Sequence, residues 1–259
     1  MAVCNSFVIA LVVASAGVAS RAGAQVNVEV LRSDLKSSGF GAKLDASVDT
    51  YLGNTQGTTL GTDGLIGLAS GRHLAYLSAS GDYSHLAQTT QVSKYFVHAR
   101  YNLRLTSWVW GEVFGQVESD RFRRIALREL AGVGPRFELV NTDDVGVYYG
   151  AAYMLEHTRL KTGTEPVPGR PDLVHRFSNY ASVGVDLDGD RVVLSQTVYY
   201  QPRFDDFGDW RLLSITGLDF EIGDPFTASI LATFRFEDPT PSTVERADFT
   251  LENSFGVKF

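Results

Sequence analysis

"SKYFVHARYNLRL" (residues 93–105) is the stretch on which the fold turns. Tyr95, Val97, Ala99, Tyr101, Leu103 and Leu105 fall on one face of an extended chain. Lys94, His98, Arg100, Asn102 and Arg104 fall on the other, and only Phe96 is out of phase. A period of two is the mark of a strand with unlike faces. Soluble domains use strands of about five or six residues, and this run of thirteen is twice that. Its polar face also carries charges in mid-strand. An apolar core inside and water outside would explain the alternation but not the length. Lipid outside and a polar lumen inside explain both.

The same pattern recurs along the chain. In "FGAKLDASVDTYL" (40–52), Phe40, Ala42, Leu44, Ala46, Val48 and Leu52 oppose Lys43, Asp45, Ser47, Asp49 and Tyr51. Twelve such segments are predicted, at about 39–53, 58–70, 73–83, 93–105, 109–118, 128–140, 145–157, 175–187, 191–200, 210–221, 226–236 and 246–259. Gly111 and Gly115 blur the fifth, and "WRLLSITGLDFE" in the tenth has no clean phase. Short connections (Gly71-Arg72, Thr106-Ser107, 141–144, Asp188-Gly189, 223–226) alternate with longer ones (84–92, 119–127, 158–174, 201–209, 237–245). Only 54–57 is short where a long loop is expected. A meander with turns at one end and loops at the other predicts an all-β fold, an antiparallel up-and-down transmembrane β-barrel of about 12 strands. An even count lets the first strand seal against the last and leaves no open edge in lipid.

Strand parity tests this reading. Asp188-Gly189 is a favoured two-residue hairpin turn. It predicts Leu187 opposite Asp190, Val185 opposite Val192 and Val183 opposite Leu194, so an odd apolar face meets an even one, as one sheet surface requires. The last stretch, "ADFTLENSFGVKF" (247–259), alternates to its final residue. Phe255, Val257 and Phe259 are expected on the lipid face at the periplasmic rim. A terminal Phe with apolar residues at every second position before it resembles the C-terminal signal that outer-membrane barrels present to the barrel assembly machinery.

Composition agrees with a membrane barrel and narrows the alternatives. Charged residues are 20% of the chain, below the usual share of about 25%, and the net charge is −7 with no Lys/Arg-rich run. Nucleic-acid binding is set aside on that ground. Phe7 to Ala19 is apolar but shorter than the ~20 residues of a helical span, and Ala22-Gly23-Ala24 fits a signal-peptidase site. Residues 1–24 are read as a cleaved secretory signal, 25–38 as a periplasmic N-terminal segment and 39–259 as the barrel. The lone cysteine, Cys4, falls in the signal, so the mature chain is expected to hold no disulfide.

"VNVEVLRSDLKSSGFGAKLDASVDTYLGNTQ" (26–56) and "KYFVHARYNLRLTSWVWGEVFGQVESDRFRRIALRELAGVGPRFEL" (94–139) resemble the bacterial family called domain of unknown function 481, related to salt-induced outer-membrane proteins. The resembling features are "NVEVLRSD", "GNT" after a first long strand, and "WGEVFGQVESDRF" followed by "AGVGPRFEL". The resemblance implies an outer-membrane barrel. That family has no settled activity, so no functional residue is carried over from it.

In "HRFSN" (175–179), His175 and Ser178 are three apart, which puts them on opposite faces of a strand and out of reach as base and nucleophile. "DLDGD" (186–190) has the acidic spacing of a calcium loop but not its terminal Glu, and is explained as a turn. The five histidines have no metal-ligand spacing, and there is no glycine-rich phosphate loop. We therefore expect no catalytic residues, no metal and no cofactor. What remains is a lumen cluster. Around the turn at Thr106-Ser107-Trp108, Arg104 is expected opposite Trp110 and Arg100 opposite Phe114. Glu112 lies diagonally from Arg100 in the same hairpin, and the next strands bring in Arg136, Glu138 and Tyr148. It reads either as a constriction for small anionic or sugar-like solutes or as a salt-bridged filling. The filling is favoured, since small barrels pack their interiors. The expected product is a monomeric envelope barrel whose partners are outer-membrane lipid and, during insertion, the assembly machinery.

Overall fold

The computed structural model describes residues 38–51, 57–86, 89–121, 123–189, 191–242 and 244–258. The proposed signal, nearly all of the segment 25–38, and Phe259 lie outside the described residues. The strands are β1 (Ser38–Tyr51), β2 (Gly57–Ser70), β3 (His73–Leu86), β4 (Thr89–Arg104), β5 (Val109–Asp120), β6 (Ile125–Asn141), β7 (Val145–Leu160), β8 (Leu173–Asp186), β9 (Val192–Tyr200), β10 (Trp210–Gly223), β11 (Phe226–Asp238) and β12 (Ala247–Lys258). Each pairs antiparallel with its neighbours in sequence, and β1 pairs with β12 to close the barrel. The closing seam joins Lys43–Ala46 to Phe255–Lys258, a shorter pairing than the full-length β1–β2 hairpin.

The two faces of the wall are reversed relative to a soluble protein. On β4, Tyr95, Val97 and Tyr101 point out and are exposed, while Lys94, Phe96, His98, Arg100 and Asn102 point in and are buried. The outer face carries Phe40, Leu44, Ile66, Leu77, Val113, Val133, Tyr153, Leu194, Ile230, Phe249, Leu251 and Phe255, all exposed. Such a continuous apolar belt is stable only against lipid. Phe96 completes the lumen face, where its ring lies 6.2 Å from that of His98. The lumen face admits apolar side chains that fill space, here between Ser80 and Glu118 on the neighbouring strands, and hydropathy alone misplaces them. The tenth strand is blurred for the same reason. Leu213 and Ile215 face inward and pack with Tyr180, Tyr199 and Leu231.

Two expectations need correction. The connections expected at 84–92 and 119–127 shrink to 87–88 and 121–124, because the strands run on past their apolar pattern above the lipid belt. The β8–β9 turn is two residues longer than predicted. Val185 pairs with Leu194 and Val183 with Gln196, and Leu187 N–H donates to the Val192 carbonyl at 2.8 Å. A slip of two keeps every side chain on its face, so the facing survives the error in register.

Candidate functional site

Alternate residues of all twelve strands point into the lumen, and there they form two layers. The inner layer lies toward the short turns. The β4–β5 hairpin sets Arg104 opposite Trp110, Arg100 opposite Phe114 and Asn102 opposite Glu112. The β5–β6 and β6–β7 pairings add Arg136 opposite Trp110 and Tyr148 opposite Glu138. Arg100 Nη1 donates to Glu112 Oε2 at 3.1 Å. Trp110 Nε1 donates to Glu138 at 3.1 Å, and Arg104 lies 4.0 Å from the same carboxylate. The guanidinium of Arg136 stacks 4.2 Å over the Tyr148 ring, a contact worth about 0.5–2 kcal/mol.

Tyr180, on β8, ties this layer together over the neighbouring strands. Its hydroxyl donates to Glu112 Oε2 at 2.7 Å and accepts from Arg136 Nη1 at 3.2 Å. Strands β6 and β7 stand between Tyr180 and Glu112 in the wall, and the Tyr180 ring reaches over Gly150 of β7 to make the bond. Glycine makes the reach possible. A Cβ on Gly150, paired with Tyr180, would sit 2.1 Å from its ring, and one on Gly132 would sit 2.3 Å from the Phe114 ring. Side chains at these two positions would push both rings off the wall.

The outer layer lies toward the long loops and is a network of arginines and carboxylates. Glu156 on β7 accepts from Arg176 Nε at 3.2 Å, bonds Arg211, and lies 3.5 Å from Arg128. Arg128 reaches Glu118 at 3.1 Å, and Arg123 reaches Glu237 at 2.5 Å. Arg170, in the loop 161–172, holds Asp209 with two bonds of 2.6 and 2.8 Å, Glu237 at 3.0 Å and the Pro239 carbonyl at 2.8 Å. One side chain thus joins the loops after β7, β9 and β11. Asp209 also accepts from Arg176 at 2.9 Å and Arg203 at 3.2 Å. At the loop surface, the two-bond grip of Arg203 holds the Asp205 carboxyl down at about 2.

Above the inner layer is a cavity of 470 Å³ that runs past the charges of the outer one. Its floor includes Phe114 and Tyr180, its wall includes Arg128 and Arg211, and it reaches the loop 239–246. Elsewhere around the ring the lumen is tight. Leu65, Ser78, Asn102, Ser182, Ser195 and Thr233 are each 2% exposed or less.

The seven residues expected in a lumen cluster all lie in the inner layer. The outer network was missed. Glu156, Arg176, Arg211 and Glu237 could have been found by marking every charge with lumen parity near the long-loop end. Arg170 and Asp209 could not, because loops have no parity. His175 points outward and bonds Tyr153, while Ser178 is buried in the lumen. Phe255 is 69% exposed on the outer face, and Val257 pairs with Leu44 at the seam.

A family model described as "Protein of unknown function, DUF481" matches residues 44–259. Comparison with curated proteins finds no match. Among solved structures, the chain is similar to the KdgM porin, with 10% identity, a TM-score of 0.46, and 85% of this chain and 98% of that chain covered. It is similar to the NanC porin, with 11% identity, a TM-score of 0.46 and the same shares covered. It is also similar to the translocator domain of the autotransporter NalP from Neisseria meningitidis, with 12% identity, a TM-score of 0.39, and 90% and 92% covered. None of these scores reaches 0.5, and the fold stands on the strand pairing itself.

Proposed function

The chain belongs to the DUF481 family and folds as a closed twelve-stranded barrel, and from that premise we propose that it is an envelope barrel of the bacterial outer membrane whose lumen is closed at rest. Tight burial of lumen side chains right around the ring carries this reading. A water-wide pore would leave its lining accessible, yet Leu65, Ser78, Ser182, Ser195 and Thr233 on five different strands are 2% exposed or less. The long loops then face outward and the short turns face the periplasm. On this reading the protein is a monomer and not an enzyme, and the outward Phe255, with Val257 and Phe259, forms the face offered to the assembly machinery.

A second reading is a narrow path for small anionic or sugar-like solutes. The cavity favours it, since arginine and aromatic side chains line it together. Passage would require the Tyr180–Glu112–Arg136 floor to move. Swelling of proteoliposomes separates the two. The closed barrel predicts no uptake of small neutral sugars or sugar acids beyond protein-free vesicles. Steady swelling in either solute would contradict it.

A further inference from the structure

The turn after β5 reads Arg121-Phe122-Arg123-Arg124, and its arginines part company. Arg123 turns inward to Glu118 and Glu237. Arg121 and Arg124 are exposed at the outer rim, beside exposed Arg159 and half-buried Lys161 at the end of β7. The backbone sets these two ends together. Ile125 pairs with Leu160, Leu127 pairs with Arg159, and Lys161 N–H donates to the Arg124 carbonyl at 2.8 Å.

The outer wall below them is graded. Gly115, Ala131 and Leu155 form one apolar row, and Val117, Glu129 and His157 form the next. Glu129 and His157 face each other at 3.2 Å. The four cations come next. The strand rises about 3.3 Å per residue, so they stand just above the lipid belt, at headgroup height. Arg124 is also the one described non-glycine residue with positive φ, at 58°. That conformation is costly for a side chain with a Cβ, and such strain gathers at functional positions. Glycine would fit the turn without it.

We propose that Arg121, Arg124, Arg159 and Lys161 form a docking site for the phosphorylated headgroup of an outer-leaflet lipid. Four clustered cations in a chain of net charge −7 complement phosphate, and guanidinium groups grip it with paired, charge-assisted bonds. The acyl chains would run down Val117 and Leu155. The site rests on the orientation proposed above, and the test keeps the two apart.

The protein, purified in a non-ionic detergent, is mixed with lipid A bearing both phosphates or with the same lipid stripped of them, and bound lipid is counted by native mass spectrometry. The wild type should prefer the phosphorylated lipid by about tenfold, the equivalent of one good charge-assisted contact. The combined variant Arg121→Gln, Arg159→Gln and Lys161→Gln should lose that preference while keeping its heat-modifiable gel mobility. Arg124→Gly should weaken the preference while the thermal midpoint holds or rises, because glycine relieves the strain. Equal binding of the two lipids by the wild type, or an unchanged preference in the combined variant, would overturn the site. Orientation is read separately, by labelling Thr162→Cys in whole cells with an impermeant maleimide. Labelling is expected, and its absence would reject the outward placement whatever the binding result.

Discussion

The inner and outer layers of the lumen use the same chemistry, arginine against carboxylate, yet different parts of the chain build them. The inner layer is made by consecutive hairpins, with Arg100, Arg104, Trp110, Glu112, Arg136 and Tyr148 on β4 to β7. The outer layer draws Glu118, Arg128, Glu156, Arg176, Arg211 and Glu237 from six strands and Arg170 and Asp209 from loops. One is a local product of strand parity. The other also has adjacent-strand pairs, such as Glu118–Arg128, but its bonds from Arg123 and Arg170 to Glu237 form only when distant strands and loops have met. The inner layer should therefore be the sturdier against single changes, and the outer layer the more cooperative.

The largest expected effect is at the centre of the outer network. Glu156 serves Arg128, Arg176 and Arg211. Glu156→Ala would leave three buried guanidinium groups short of a partner, and should cost roughly 3–5 kcal/mol in chemical denaturation of the detergent-folded protein. Glu112→Ala should cost less, since it strands only Arg100 and the Tyr180 hydroxyl. Equal losses would mean that the two layers do not differ in cooperativity.

The next effect concerns the wall that both layers share. Val97 faces lipid, so Val97→Arg should cost about 2–4 kcal/mol near the midplane. Gln116 lines the cavity, and Gln116→Arg should cost much less. Equal costs in the same titration would show that the facing is wrong.

A smaller effect isolates the loops. Arg170→Ala removes the side chain that ties three loops, and should cost roughly 1.5–3 kcal/mol, while Asp209 keeps Arg176 and Arg203. Trypsin should then cut faster after Lys161, with the inner layer and the turn at 105–108 unaffected. An unchanged rate of cutting would mean that the loops are held by other contacts.

Much of this was legible in the sequence because a barrel obeys a simple rule. Parity assigned Arg100 and Glu112 to the lumen and Val97 to lipid, and it still held where the β8–β9 register slipped by two. It failed where the rule is silent. Phe96 and Ile215 are apolar residues in the lumen, which hydropathy cannot tell from the lipid face. Arg170 and Asp209 lie in loops, where no period fixes direction. The bond from Tyr180 to Glu112 reaches over two intervening strands, and hairpin pairing says nothing about contacts beyond the neighbouring strand.

Single-channel recording in planar bilayers tests the closed lumen most directly. The wild-type barrel should show no steady conductance at moderate voltage, because side-chain layers occupy the lumen at two levels. Arg170→Ala, which loosens only the outer one, should stay silent as well, since the inner floor of Arg100, Glu112, Arg136 and Tyr180 remains. A steady ohmic current through the wild-type protein would contradict the account.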